Sequence, residues 1–274
     1  MPNFAEQDLR RLTHLIVRRM GSNAEEAERV TDHLVRANLA SGKSEVVIPG
    51  VSMHEYDISP DEREVVYSTD PTGQPSQIWI APLDRSAPPR RIAANGESVP
   101  QFGPDNEVLF RLTDGKAYYL AAMSRDGSGR RKVFPDAMIE INGMSPDRRR
   151  ISLVVANPRA DRPYGAVYSL DGRPAQQVCD VPCTVVWSPD GHYIYIYIAP
   201  ASRENLGRTA AIPVPTGESL PPIPPVAVHQ PAEWAKVAGV KIVEHGNIAP
   251  GPDPSTYAYI KPSLHANLFR IPLH

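Results

Sequence analysis

A short turn-forming tripeptide, serine or glycine followed by proline and aspartate, returns five times: Ser59-Pro60-Asp61, Gly103-Pro104-Asp105, Ser145-Pro146-Asp147, Ser188-Pro189-Asp190 and Gly251-Pro252-Asp253. Successive copies lie 44, 42, 43 and 63 residues apart. Self-similarity at about 40 to 45 residues marks four-stranded blades, each of which buries its faces only against its neighbours. Proline presets one turn dihedral and aspartate bonds the turn backbone, so each tripeptide predicts a chain reversal.

Around every reversal the same strands can be drawn. First strands are expected at 52–58, 99–102, 139–144 and 184–187, and second strands at 64–69, 107–112, 151–156, 193–198 and 257–260. Third strands fall at 77–83, 117–123, 166–170, 208–214 and 267–273, and outer strands near 91–93, 131–134, 176–178 and 240–243. The run HYIYIYI puts large residues on both faces, as a strand packed between two blades requires. Trp187 and Ile194 are therefore expected in the core of blade four. Glu45 to Ile48 is expected to supply the outer strand that the fifth repeat lacks and so close the ring beside 267–273. Glu62, Asn106 and Arg148 stand where the strict turn has glycine, which is expected to loosen three of the turns.

Residues 1–43 differ in kind. Leu9, Leu12, Leu15, Ile16 and Met20, then Ala27, Val30, Leu34 and Val35, recur at helical spacing, with Gly21 as a helix end and Ser22 with Glu25 as a capping box. The fold expected is thus mainly β: a β-propeller of about five four-stranded blades over 44–274, behind a short N-terminal α-helical hairpin. A proline-rich insertion at 216–239 accounts for the longest interval and is expected to be a packed connector around Trp234.

The repeats FGPDNEVLFRLTDGKAYYLAAMSRDGSGRRKV and VVWSPDGHYIYIYI resemble TolB-type, WD-like β-propeller repeats. That resemblance implies a module that binds proteins or peptides, of the kind found in bacterial regulators, kinases and peptidases. The segment DLRRLTHLIVRRMGSNAEEAERVTDHLVRANLASG is similar to the N-terminal helices of the malate/L-lactate/ureidoglycolate dehydrogenase family, but the histidine-bearing stretch that follows in that family is replaced by Ala40-Ser41-Gly42-Lys43-Ser44. No functional residue carries over from it.

Chemistry is sparse along the chain. It has neither a glycine-rich dinucleotide or P-loop cradle nor a G-x-S-x-G nucleophile elbow, and in the zincin-like start His54-Glu55 the place of the second histidine is held by Ile58. No cofactor, no metal and no catalytic residue are expected. Cys179 and Cys183, the only cysteines, are expected to be two ordinary half-buried thiols. A formal net charge of −2 gives no global pull toward nucleic acid, and no apolar run is long enough to span a membrane. Without a signal peptide the chain reads as cytoplasmic, or as periplasmic if it is part of a longer protein.

The expected function is a non-catalytic module that binds a protein or peptide, as the sensor or scaffold part of a larger bacterial system. The alternatives are an NAD-dependent oxidoreductase, resting on the hairpin alone, and the propeller portion of a peptidase. By topology the binding face is the one opposite the Pro-Asp turns, with Arg159, Arg162, Tyr164 and Arg203 as the contact residues, because arginine and tyrosine concentrate at binding hot spots.

Overall fold

The computed structural model describes residues 48, 51–156, 162–198, 207–215, 220, 223, 237–246, 248–251 and 253–259. The helical hairpin, and the pairing of Glu45–Ile48 with 267–273, lie outside the described residues apart from Ile48. Ser52–His274 forms one compact unit and Met1–Val51 another. Among the described residues every regular element is a strand.

Blade one is a four-stranded antiparallel sheet of β1 (Tyr56–Ile58), β2 (Glu64–Thr69), β3 (Gln77–Pro82) and β4 (Arg90–Ala93), in sequence order. Blade four repeats this with β12 (Thr184–Trp187), β13 (Tyr193–Tyr197), β14 (Thr209–Pro213) and β15 (Lys241–Val243). β16 (Ala249–Pro250) and β17 (Tyr257–Ala258) open the fifth blade.

Blades two and three depart from the expected separate sheets. β5 (Ser98–Phe102), β6 (Glu107–Asp114), β7 (Ala117–Ser124), β8 (Arg131–Met144), β9 (Arg150–Val155), β10 (Tyr164–Ser169) and β11 (Gln176–Cys179) form one seven-stranded sheet. The single long strand β8 serves as outer strand of blade two and inner strand of blade three. Lys132 pairs with Ala121, yet Ala137 pairs with Tyr119, so residues 133–136 bulge out of the ladder and re-aim the strand. Proline, which has no N–H for a ladder, fits such a bulge, and Pro135 sits in this one. Met138 then pairs with both Tyr118 and Val155 and joins the two blades.

Alternate residues of each strand feed different cores. Val66, Ile78 and Ile80 of blade one pack on Phe102, Val108 and Phe110 of blade two. Ile194 and Ile196 join Val167 and Val178 of blade three, whereas Tyr195 between them packs on Val243 and Ile248. Trp187 and Ile194 are buried as expected. Leu220, Ile223 and Val237 of the proline-rich insertion are also buried in the blade-four core; Trp234 lies outside the described residues.

The turns explain why the tripeptide recurs. In blades one, three and four a buried serine hydroxyl donates to the aspartate two residues on, Ser59 to Asp61 at 2.6 Å and Ser188 to Asp190 at 2.5 Å, and accepts the N–H of the residue that opens the second strand. Ser145 repeats this with Asp147 and the Arg150 N–H. Glu62, Arg148 and Gly191 occupy one equivalent position, at φ 56°, 59° and 74°. The turns at Glu62 and Arg148 are therefore not loosened. They keep the left-handed geometry and carry the strain that a Cβ brings there. Blade two has glycine in place of the serine and uses a shorter turn, with both Asp105 and Asn106 left-handed.

Candidate functional site

The connection from blade three to blade four runs on the face opposite the Pro-Asp turns, and there the chain reverses within Asp180-Val181-Pro182. So tight a reversal is held covalently: Cys179 and Cys183 form a disulfide, both residues being buried. The expectation of two free thiols is thereby corrected. Pairing at this short spacing is possible because β11 and β12 converge at the loop, and because Gly165 on β10 leaves room: a Cβ at residue 165 would fall 2.2 Å from the Cys183 sulfur.

Further bonds fix the staple. The Gly165 N–H donates to the Val181 carbonyl at 3.2 Å, the Asn142 side-chain amide donates to the Cys183 carbonyl at 2.9 Å, and the buried Ser152 hydroxyl donates to the Val185 carbonyl at 2.8 Å. Carbonyls at and just before β12, the strand at the free edge of the blade-four sheet, thus gain hydrogen-bond donors from blade three.

Tyr164 precedes Gly165 and is half-buried, and Arg162 is exposed just upstream. Below Tyr164 lies Tyr168, whose hydroxyl donates to Asp136 at 3.1 Å and whose ring meets Phe134 at a centroid distance of 4.4 Å. Burial first, then the Asp136 charge and Tyr164, push the Tyr168 hydroxyl well above the usual phenol range. Tyr168 is thus a structural support that stays protonated at any physiological pH. Of the four expected contact residues, Arg162 and Tyr164 stand just before Gly165, which packs against the staple. Arg159 and Arg203 lie outside the described residues.

A second cluster had no counterpart in the sequence reasoning. His245, in the connection from blade four to blade five, stacks on Tyr259 at a centroid distance of 3.8 Å and meets the Tyr257 hydroxyl at 3.2 Å, while its carbonyl accepts from Thr209. Tyr259 is among the exposed large side chains. The alternation Tyr257-Ala258-Tyr259 was the available signal, since it places both rings on one face. Among the described residues no three His, Cys, Asp or Glu side chains are grouped to hold a metal ion, and no helix is long and apolar enough to cross a membrane.

Sheets of four antiparallel strands in sequence order, packed face to face through a turn repeat, define a β-propeller. Comparison with solved structures agrees. The fold is similar to TolB from Acinetobacter baumannii, with a TM-score of 0.50 and 16% identity over 64% of this chain and 44% of that one. An oligogalacturonate lyase from Vibrio parahaemolyticus gives 0.47 and 13%, over 61% and 53% of the two chains. The β-propeller domain of the Trilobed protease from Pyrococcus furiosus gives 0.43 and 12%, over 61% and 55%. This chain therefore spans less than half the length of the TolB structure it resembles. No protein-family model matches the sequence, and no curated protein sequence matches it.

Proposed function

We propose that the propeller is a non-catalytic binding module for a protein or peptide, and that it is read at the rim where blades three and four meet. What supports this is that Tyr164 directly precedes Gly165, the residue that packs against the Cys179–Cys183 staple, with Arg162 exposed just upstream. A phenol ring at the start of β10, next to the Gly165 N–H that bonds the stapled loop, meets a partner with little ordering entropy left to lose, and the Arg162 guanidinium stands two positions before it. The sensor or scaffold role in a larger bacterial system belongs to the same proposal. The staple also favours the periplasmic over the cytoplasmic alternative, because structural disulfides persist where the environment is oxidising.

Panning a phage-displayed peptide library against the oxidised chain tests this reading. A consensus peptide should emerge whose affinity falls at least tenfold on Arg162→Glu and is unchanged by Glu62→Ala on the Pro-Asp face. Failure to enrich any sequence, or a peptide that maps to the Pro-Asp face, would count against it.

A further inference from the structure

Arg148 holds the position that the strict Ser-Pro-Asp-Gly turn gives to glycine, and it adopts a left-handed φ of 59°. Such a conformation is unfavourable for a residue with a Cβ, and the contacts of its side chain offset that cost. Asp57 is the central residue of β1 in blade one, Phe102 closes β5 of blade two, and Arg148 lies in the first turn of blade three. The Arg148 guanidinium donates to both Asp57 carboxylate oxygens, at 2.5 and 3.2 Å, to the Ile58 carbonyl at 3.1 Å and to the Phe102 carbonyl at 3.3 Å. Asp57 in turn accepts the Phe102 N–H at 2.8 Å.

We infer that Arg148 is an ionic latch that ties three successive blades together at the Pro-Asp end of the propeller. Two physical points separate it from an ordinary surface ion pair, which contributes little. The side chains of Arg148 and Asp57 are only 19% and 17% exposed, and the contact is a two-pronged fork on a carboxylate with two carbonyls added. In addition, an innermost propeller strand has one edge with no neighbouring strand, so its backbone groups need other partners. At Phe102 both the N–H and the carbonyl find theirs in this cluster. The latch lies at the end opposite the proposed binding rim and does not depend on it.

The test is Arg148→Gly in the full chain, which restores the strict turn and removes both the strain and the latch. Hydrogen exchange at the Phe102 amide, resolved by fragmentation mass spectrometry, should become at least tenfold faster. The chemically equivalent turn of blade four, Ser188 to Tyr193, should exchange as before. Asp57→Asn keeps an acceptor for the Phe102 N–H but loses the charge pair, so it should lower thermal stability while leaving that amide slow. Combined with Arg148→Gly it should be less than additive. If Arg148→Gly does not fold, Arg148→Lys serves instead, with exchange at Phe102 expected between wild type and fully released. A glycine variant as stable as wild type with Phe102 still protected, or a lysine variant indistinguishable from wild type, would overturn the latch.

Discussion

Trp187→Ala tests whether blades three and four are held by their shared apolar core. Trp187 is 8% exposed and packs in the cluster that contains the disulfide, Val185, Ile194 and Ile196. A tryptophan buries about 200 Å², which at roughly 25 cal/mol per Å² corresponds to about 5 kcal/mol. Alanine retains about 1 kcal/mol of that. The indole N–H is buried without an acceptor among the described residues, a penalty of about 1 to 3 kcal/mol that truncation removes. The net loss should therefore be about 2 kcal/mol, below the roughly 3 to 5 kcal/mol usual for Trp→Ala in a core. A chain of this size should then melt roughly 4 to 8 °C lower. Trp187→Phe removes the unpaired N–H while keeping most of the ring, so it should cost no more than about 1 kcal/mol. Denaturant titration of both variants reads the difference. An unchanged midpoint for Trp187→Ala would refute the packing argument, and a phenylalanine variant as unstable as the alanine one would show that the N–H is satisfied.

Replacing Cys179 and Cys183 together by serine should destabilise by about 2 kcal/mol, since the closed loop is short, and intact-mass measurement should show the native protein two hydrogen atoms lighter than its reduced form. Glu62→Gly should stabilise by about 0.5 kcal/mol, because relief of left-handed strain slightly exceeds the added chain entropy, and a small rise in melting temperature checks it. The Ser59 hydroxyl holds Asp61, and the Ser188 hydroxyl holds Asp190, below the ordinary carboxyl value of 3.8. A carboxylate lowered in the folded state contributes stability above its unfolded value and loses it as pH falls, so stability should be flat near neutrality and decline below about pH 4. A melting-temperature series over pH 2 to 7 shows the decline or its absence. Titration with NADH followed by protein fluorescence should show no saturable change; binding with turnover of a small 2-hydroxy acid would restore the oxidoreductase alternative.

What was legible in the sequence was local chemistry. The Ser-Pro-Asp turns declared themselves because a serine hydroxyl, a proline ring and an aspartate act within six residues, and the strands before and after them followed from alternation. What stayed hidden depends on residues far apart in the chain. The staple needed Gly165 to make space for the Cys183 sulfur. The joining of blades two and three needed the bulge at 133–136, which no turn residue pair announced. Arg148 and Asp57 are 91 positions apart, so a side chain standing in for glycine read as a weakened turn instead of a contact. For the site, composition of the loops pointed to Arg162 and Tyr164, while the rigidity beneath them could be seen only once Tyr168, Asp136 and the disulfide were in place.

The most direct test of the binding account is site-specific photo-crosslinking of the full chain in its source cells. A photoreactive residue at position 162, on the stapled rim, is compared with one at position 84, in an exposed turn on the Pro-Asp side of blade one. A discrete polypeptide adduct is expected from position 162, lost on reduction of the Cys179–Cys183 bond and absent from position 84. Equal adducts from both positions, or none from position 162 under conditions where the chain is folded and oxidised, would contradict it.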